Sequence, residues 1–195
     1  MADDVGSENG KEQKKESNKN EYLSFLIELV IVVGLTFLFI RFVAFRSVVR
    51  GSSMLTTLND RDNLIVQKIT YYFHDPERFD IIVFRPAVRQ DGKEYFIKRV
   101  IGLPGETLEI KDGLVYIDGE RLEEDVYGHE VMYDRDGTLL DFGPVEVPEG
   151  EVFVLGDNRN NSKDSRYPDV GTVTKKQISG KVFVRFWPLN AWKHF

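Results

Sequence analysis

A long apolar stretch, from Tyr22 to Ile40, constrains this chain more than any other feature of its sequence. Its length is close to the roughly 20 apolar residues that an α-helix needs to cross a bilayer. Glu28 is its one charged residue, and it lies near the amino-terminal end, where its carboxylate can reach the headgroups. A cleaved leader is disfavoured because the stretch is too long and no small-x-small site follows it. We therefore predict a transmembrane anchor helix over residues 21–43, with a buried core helix as the alternative.

The charges on either side of this stretch do not settle its orientation. Residues 1–20 are polar and charged, and this composition cannot form a core, so it predicts a disordered tail. Arg41, Arg46 and Arg50 follow the stretch and oppose the four lysines of the tail in the charge bias that orients membrane proteins. The pattern predicts a single span with the rest of the chain on one side, and leaves open which side.

The composition narrows the function classes. The chain has 195 residues and a formal net charge of −6, with acidic and basic residues intermixed, so nucleic-acid binding has little support. It has no cysteine, which excludes disulfides, thiolate metal sites and a cysteine nucleophile. His74, His129 and His194 are scattered, without the spacing of metal ligands. We predict one well-cored domain with a small insertion, and no metal or other cofactor.

From Phe45 onward the chain has the pattern of an antiparallel β protein. Asp112-Gly113 lies between two apolar segments and predicts a hairpin with a two-residue turn. We predict a mainly β fold, with an antiparallel, barrel-like core formed by residues 44–105 and 150–195 and a smaller β-rich insertion or cap at residues 106–149. The segments predicted as strands of the core are short and rich in branched or aromatic residues: Ser47–Arg50, Asn63–Gln67, Phe79–Phe84, Tyr95–Ile101, Glu151–Leu155 and Lys181–Trp187.

Lys98 has an unusual setting within one of these strands. Side chains alternate between the two faces of a strand, so Lys98 shares a face with Phe96 and Val100. An ammonium between two apolar neighbours is poorly solvated, and desolvation favours the neutral amine. A neutral lysine accepts a proton, so this strand offers a general base at physiological pH. The alternative is a lysine whose head group reaches solvent or an acidic partner.

Two loops carry further candidate groups. Gly51-Ser52-Ser53-Met54 predicts a tight loop that presents a hydroxyl nucleophile together with a backbone N–H. The segment 156–166 follows an apolar strand and is dense in short polar side chains, which is typical of a rigid, internally hydrogen-bonded loop. Its oxygen atoms also suit calcium, but the spacing does not match an EF-hand loop, and Arg159, Lys163 and Arg166 oppose a cation.

Together these segments resemble the type I signal peptidases, the membrane-bound serine–lysine proteases that remove secretory signal peptides. The similarity lies in several sequence boxes that occur in the family's order and together span residues 22–190. The boxes are Gly51-Ser52-Ser53-Met54 with Thr57-Leu58 (nucleophile), Phe79–Phe84 (second strand), Lys98–Gly105 (lysine), Gly156–Arg166 (last box), and Gly180-Lys181-Val182 with Trp187-Pro188-Leu189-Asn190 (closing strand).

Two positions depart from the pattern of that family. The family usually has proline where Thr56 stands, which predicts a less rigid loop here. Some relatives carry, at the position of Gly51, a serine whose side chain helps the oxyanion hole. Oxyanion stabilisation in this chain is therefore expected to depend mainly on backbone N–H groups, including that of Ser53.

The resemblance implies a role for each polar residue of these boxes. Ser53 is implied to be the nucleophile, and Lys98 the general base that takes its proton and later passes it to the leaving amine. Ser162 is implied to hydrogen-bond Lys98 and to fix its aim. Other residues are implied to support the site, with Arg99 paired to Asp157: Gly51, Arg99, Asp157, Asp164 and Arg166.

The resemblance also implies the substrate, the partners and the location. Substrate is expected to bind as an extended strand against residues near 47–52 and 95–97. The partners are secretory preproteins with small-x-small cleavage sites and the phospholipid membrane, and the location is the cell membrane, with a single pass, a cytoplasmic tail and an extracytoplasmic catalytic domain. Subsites for small, alanine-like side chains are expected to be lined by residues that also suit a core: Val49, Met54, Leu58, Phe96 and Ile97.

Other functions have less support. A catalytically inactive relative that acts as an assembly factor would normally lack Ser53 or Lys98, and both are present. A self-cleaving, repressor-type serine–lysine protease would carry a DNA-binding domain in place of the apolar stretch. A penicillin-binding enzyme needs Ser-x-x-Lys, and no serine here has a lysine three positions later. The sequence therefore favours a serine endopeptidase that removes amino-terminal signal peptides.

Overall fold

The computed structural model of the protein describes residues 5–88, 94–123, 125–128 and 130–195, and it divides into two compact units, residues 1–43 and 44–195. The first unit is the helix α1, Val5–Phe42. Its segment Glu21–Phe39 has a mean hydropathy of 2.3, and none of it is buried in the structure. A helix of this length and composition can cross a membrane, which confirms the predicted apolar helix.

The start of α1 lies inside the stretch 1–20, for which the polar composition predicts a disordered tail. The helix begins at Val5, and residues 1–4 of that stretch lie outside the described residues. Lysine, glutamate and glutamine are frequent in that stretch, and each has a high helix propensity, so the backbone continues the apolar helix towards the amino terminus.

The second unit contains a large antiparallel sheet. The strands of this sheet are β1 Ala44–Val48, β2 Asn63–Gln67, β3 Ile81–Phe84, β4 Phe96–Gly102, β9 Glu151–Leu155, β10 Val173–Thr174, β11 Ile178–Trp187 and β12 Lys193–His194. They follow the order β1-β2-β11-β3-β4-β9-β10, and β12 pairs with β11. This curled half-barrel confirms the predicted mainly β, barrel-like class. The four-residue helix α2, Thr70–Phe73, follows β2.

A second, four-stranded sheet covers the stretch predicted as an insertion. Its order is β7-β6-β5-β8, with β5 Thr107–Lys111, β6 Leu114–Ile117, β7 Glu120–Arg121 and β8 Phe142–Glu146. Asp112 and Gly113 join β5 to β6 with φ of 50° and 72°, the left-handed values of the predicted two-residue turn. Leu108 and Ile110 of this sheet share a buried cluster with Ile101 and Phe153 of the large sheet. The small sheet is therefore held on the large one by a common core.

The pairing of the large sheet places β4 in its interior. β4 pairs with β3 on one side and with β9 on the other. Phe96 and Val100 pack in one buried cluster with residues of β3 and β9, and Ile101 packs in another. A polar residue on β4 is consequently surrounded by protein rather than by water. Its neighbour β9 is followed directly in the chain by the polar segment 156–166.

Candidate active site

Three segments meet at the end of β4. β4 itself carries Lys98, the loop after β1 carries Ser53, and the segment after β9 forms a loop over residues 156–166, which we call the polar loop. The loop around Ser53 lies between β1 and β2, which pair with each other, and its Leu55–Thr56 peptide bond is cis. The polar loop contains one short 3₁₀ turn, Arg159–Asn161. The sequence boxes thus converge in space although they are far apart in the chain.

Ser53 and Lys98 are in direct contact. Nζ of Lys98 lies 2.7 Å from Oγ of Ser53, and it donates a hydrogen bond to the carbonyl oxygen of Ile97 at 3.1 Å. Lys98 is only 4% exposed, and its Nζ lies 5.3 Å from the centre of the Phe96 ring. Burial leaves the amine poorly solvated, as the alternation of the strand predicts. This arrangement can transfer the hydroxyl proton of Ser53 to an amine.

The polar loop fixes the position of the Ser53 backbone. The N–H of Asn158 donates to the carbonyl oxygen of Ser53 at 3.1 Å, and Nδ2 of Asn158 donates to the carbonyl oxygen of Ser52 at 3.0 Å. Gly156 lies so close that an added Cβ would be 2.5 Å from the Ser53 carbonyl oxygen. Only glycine fits at this contact, which explains why the box begins with that residue.

Ser162 does not make the hydrogen bond that the resemblance implies. Its Oγ is buried and has no hydrogen-bond partner among the residues that the structure describes, so the expected bond to Lys98 is not formed. The hydroxyl lies instead against Gly156, where an added Cβ would be 2.1 Å from it. A buried hydroxyl without a hydrogen-bond partner has a free-energy cost, and the contact with Gly156 supplies no such partner. The hydroxyl of Ser162 therefore remains available for a hydrogen bond.

Arg99 and Asp157 form a buried, two-bonded pair. Nε and Nη2 of Arg99 donate to Oδ1 and Oδ2 of Asp157 at 2.8 and 2.7 Å, and Nη1 donates to the carbonyl oxygen of Phe79 at 2.8 Å. The side chain of Arg99 is 3% exposed and that of Asp157 is fully buried. The pair predicted from the sequence is therefore present, and it ties β4 to the polar loop.

Asp164 and Arg166 brace the polar loop internally. Oδ2 of Asp164 accepts the N–H of Gly156 at 3.0 Å, and Oδ1 accepts Nε of Arg166 at 2.8 Å. Nη2 of Arg166 donates to the carbonyl oxygen of Arg159 at 2.7 Å. The two predicted loop carboxylates, those of Asp157 and Asp164, are thus both held by arginine.

An open cleft of about 590 Å³ leads to Ser53 and Lys98. Its lining includes Ser47–Arg50 and Glu94–Ile97, which are the segments predicted to hold an extended substrate. Gly51, with φ of 99°, turns the chain at the cleft and donates its N–H to Oδ1 of Asp60 at 2.8 Å. Of the predicted apolar subsite residues, the cleft is lined by Val49, Met54, Phe96 and Ile97.

Leu58, the fifth predicted subsite residue, lies in the core. It is 0% exposed and packs in a core cluster with Leu64, Val66 and Ile81, away from the lining of the cleft. Leu58 follows Ser53 by five positions, and its N–H donates to the carbonyl oxygen of Met54 at 2.7 Å, so the chain turns back into the core there. Its apolar character therefore serves packing.

Sequence reasoning gave no role in the site to three residues that contact the predicted ones. Arg159 is 4% exposed, and its Nη2 lies 2.6 Å from Oδ2 of Asp125. Cζ of Arg99 lies 3.5 Å from the centre of the Tyr127 ring. The density of basic residues in the polar loop pointed only to Arg159. Asp125 and Tyr127 come from the connection between β7 and β8, and their contacts join distant parts of the chain that no local pattern relates.

Comparison with known families agrees with this geometry. Residues 22–187 match the family described as signal peptidase, peptidase S26. The chain belongs to this family. The match begins inside the apolar helix and ends with β11, so it includes Ser53, Lys98 and the whole polar loop. The resemblance seen in the sequence boxes is therefore confirmed at the level of the family.

Named relatives of the signal peptidase family match over most of their length. Signal peptidase I of Leptolyngbya laminosa is 45% identical over 169 residues, which cover 84% of this chain and 77% of that protein. Signal peptidase I of Bacillus amyloliquefaciens is 38% identical over 182 residues, 92% of this chain and 95% of that protein. A crystal structure of a signal peptidase I from Enterococcus faecalis V583 is 40% identical, covering 55% of this chain and 97% of that one, with a TM-score of 0.44.

Proposed function

We propose that this protein is a serine endopeptidase that removes amino-terminal signal peptides from secreted preproteins, with Ser53 as the nucleophile and Lys98 as the general base. The observation that carries the proposal is the distance of 2.7 Å between Oγ of Ser53 and Nζ of a buried Lys98, at an open cleft of about 590 Å³. Membership of the signal peptidase family supplies the substrate class.

The acylation step follows from this contact. Oγ of Ser53 attacks the scissile carbonyl while the neutral amine of Lys98 takes the hydroxyl proton. The negative charge on the carbonyl oxygen is stabilised by backbone N–H groups of the loop, including that of Ser53, because Gly51 offers no side chain. Lys98 then gives the proton to the leaving amine, and the acyl group remains on Ser53.

In deacylation Lys98 acts as the general base a second time, now towards water. Once the leaving chain has carried its proton away, Lys98 is neutral again and takes a proton from a water molecule that attacks the acyl-enzyme. The alkoxide of Ser53 leaves and recovers a proton from Lys98. A single buried amine can serve both steps because its apolar setting keeps the neutral form accessible. This removes the need for the histidine and aspartate of a serine–histidine–aspartate triad.

The supporting residues are proposed to hold these two groups in register. The Arg99–Asp157 pair joins the strand of Lys98 to the polar loop, and Asp164 with Arg166 stiffens that loop. Ser162 is proposed to engage Lys98 when substrate fills the cleft, which would give its buried hydroxyl a partner.

The cleft is proposed to bind the residues before the cleavage site as an added strand. Ser47–Arg50 and Glu94–Ile97 line the cleft together with Ser53 and Lys98, so a strand added beside them would reach the dyad. Val49, Met54, Phe96 and Ile97 line it with apolar surface, which suits small side chains at alternate positions of an extended chain. This agrees with substrates that carry a small-x-small site.

The location is proposed to be the cell membrane, with a single pass and with residues 44–195 on the extracytoplasmic side. The apolar segment Glu21–Phe39 supports the span. Trp187, Leu189 and Trp192 are exposed in the β unit, which suits a surface at the membrane–water interface, where tryptophan is enriched. No cofactor and no nucleic acid is required by this chemistry.

Cleavage of a preprotein by the purified full chain tests the function. We expect the wild type to cut a preprotein after its small-x-small site, and Ser53→Ala and Lys98→Ala each to lower kcat/KM by about 1,000-fold or more. Ser53→Ala removes the nucleophile and Lys98→Ala removes the base, so their losses should not add in the double variant. The amino terminus of the product, read by mass spectrometry, identifies the bond that is cut.

Lys111→Ala provides a matched control. Lys111 is exposed in the small sheet, where it pairs with Glu109, and it lies outside the cleft lining. This variant is expected to cut at the wild-type rate. Near-normal cleavage by Lys98→Ala would show that the base is wrongly assigned. A wild type that binds preproteins without cutting them would show that the protein is an assembly factor and not an enzyme.

A further inference from the structure

The connection between β7 and β8 contacts both the polar loop and β4. Oδ2 of Asp125 lies 2.6 Å from Nη2 of Arg159, and both side chains are almost fully buried. The ring of Tyr127 covers the guanidinium of Arg99, with 3.5 Å between the ring centre and Cζ. Asn160 adds backbone contacts, since its Oδ1 accepts the N–H of Tyr133 at 2.9 Å. The proposed chemistry uses no residue of this connection.

Arg159 carries the first of these contacts to the nucleophile. Its Nε donates to the carbonyl oxygen of Gly156 at 3.1 Å, and Gly156 lies against the backbone of Ser53. The guanidinium also lies close against Gly128, where an added Cβ would be 2.4 Å from Nη1. A continuous series of tight contacts therefore runs from Asp125 through Arg159 and Gly156 to Ser53.

Tyr127 acts on the other half of the dyad. Arg99 follows Lys98 in β4, and Asp157 occupies the edge of its guanidinium while Tyr127 covers its face. A cation over an aromatic ring is stabilised most where both are removed from water, and Arg99 is only 3% exposed. The ring thus completes the enclosure of the residue that joins the strand of Lys98 to the polar loop.

We propose that Asp125 and Tyr127 are positioning residues, which hold Arg159 and Arg99 so that Oγ of Ser53 and Nζ of Lys98 stay within reach of each other. The kinetic part of this inference rests on the proposed function, and its geometric part does not. A displacement of about 1 Å between reacting groups can lower a rate about 100-fold. Residues outside the cleft, such as Asp125 and Tyr127, can therefore affect the rate of the chemical step.

Steady-state kinetics test the catalytic consequence. Tyr127→Ala and Asp125→Asn are expected to lower kcat for a preprotein about 10- to 100-fold and to leave KM within about twofold, since neither residue lines the cleft. Tyr127→Phe keeps the ring and is expected to keep the wild-type kcat. Glu120→Gln is the matched control, because Glu120 is exposed in β7, the strand just before this connection. A wild-type kcat for both Tyr127→Ala and Asp125→Asn, or a loss confined to KM, overturns the proposal.

Hydrogen exchange tests the geometry independently of activity. The amide of Asn158 donates to Ser53 and that of Gly156 donates to Asp164, so both report the seating of the polar loop. We expect them to exchange about tenfold faster in Tyr127→Ala and in Asp125→Asn, and the amide of Val100, which donates to Asp80, to keep its wild-type rate.

The two measurements separate this inference from the proposed function. Asp125→Asn leaves the buried charge of Arg159 uncompensated and can unfold the protein, whereas Tyr127→Ala unpairs no charge, so the second variant decides if the first does not fold. If the amides of Gly156 and Asn158 keep their wild-type protection in Tyr127→Ala, the positioning role is overturned, whether or not the wild type cuts preproteins. If these amides exchange faster in the variant and the wild type cuts no preprotein, the positioning role is supported and the proposed function is contradicted.

Discussion

Tyr71 shows how a single buried hydroxyl supports the frame behind the site. Its Oη donates to Oδ2 of Asp80 at 2.8 Å, and Nζ of Lys181 lies 2.5 Å from Oδ1 of the same carboxylate. Burial, with the charge of Asp80 beside it, raises the pKa of Tyr71 far above its usual range. Tyr71 therefore stays protonated in the folded protein, and its hydrogen bond to Asp80 persists at alkaline pH.

Tyr71→Phe is predicted to lower the free energy of unfolding by about 1 kcal/mol at neutral pH, the usual contribution of a hydrogen bond. Above about pH 10 the unfolded state releases the tyrosine proton and the folded state keeps it, so the stability that Tyr71 contributes falls as pH rises. The stability gap between wild type and variant should then close. Urea unfolding between pH 7 and pH 11 measures it.

Tyr72→Phe is the control for this measurement. Tyr72 is the next residue and is 79% exposed, so its removal is expected to change the stability by less than about 0.5 kcal/mol at every pH. A gap for Tyr71→Phe that stays constant up to pH 11 would contradict the raised pKa of Tyr71.

Single residues were predictable from the sequence where one strand or loop determines their setting. The alternation around Lys98 predicted its burial, and Lys98 is 4% exposed. The roles of Asp125 and Tyr127 were not predictable, because each depends on an arginine that lies far away in the chain. The burial of Leu58 was not predictable for a related reason, since an apolar residue near a nucleophile suits a subsite and a core equally well.

At the scale of elements, β11 connects the two halves of the large sheet. Its residues Ile178–Lys181 pair with β3, and from Lys181 onward it pairs with β2. Gly180 lies at this change of partner, where an added Cβ would be 2.2 Å from the carbonyl oxygen of Gln67. Lys181 pairs with Ile82, and Ile82 pairs with Lys98, so the change of partner lies two strands from the proposed base.

Gly180→Ala is predicted to destabilise the protein by about 1–3 kcal/mol, because the clashing atom is backbone and the strands must separate to admit the methyl group. A lower urea midpoint at an unchanged m-value would show it. Ser179→Ala, one position earlier in β11, is the matched control and is expected to stay within about 0.5 kcal/mol of wild type. Equal midpoints for Gly180→Ala and wild type would show that the strands adapt without cost.

Most strands were predictable because their apolar runs are short and separated by turns. The segments Asn63–Gln67 and Glu151–Leu155 match β2 and β9 residue for residue. The first strand is shifted, since β1 spans Ala44–Val48, where Ser47–Arg50 was expected. Strand ends depend on the partner strand, and β1 ends where its register with Asn63 of β2 ends. No pattern within a single segment contains that information.

At the scale of the whole molecule, the sequence separated an apolar helix from a β fold, and the structure divides at residues 43 and 44. The position of the small sheet was harder to predict. Its composition indicated an insertion, yet Leu108 and Ile110 share a core with Phe153 of the large sheet. Asp125 contacts the polar loop, and Tyr127 contacts Arg99 of β4. Packing between distant segments decided this arrangement, which local composition does not encode.

The β unit is predicted to fold without the helix. The residues of all three buried clusters lie between Phe45 and Phe195, and none of the segment Glu21–Phe39 is buried in the structure. A fragment of residues 44–195 should therefore unfold cooperatively, with a Tm within about 5 °C of that of the full chain in detergent, because its hydrophobic core is intact.

Calorimetry and a cleavage assay examine this fragment separately. The melting transition tests the fold alone, and hydrolysis of a water-soluble peptide with a small-x-small site tests whether the dyad is intact in the fragment. We expect hydrolysis within about tenfold of the full-chain rate, since the Ser53–Lys98 contact lies wholly within the β unit.

A fragment without a cooperative transition would show that the helix contributes to the fold. A folded fragment that no longer cuts the peptide, beside an active full chain, would assign the helix a part in catalysis beyond attachment to the membrane.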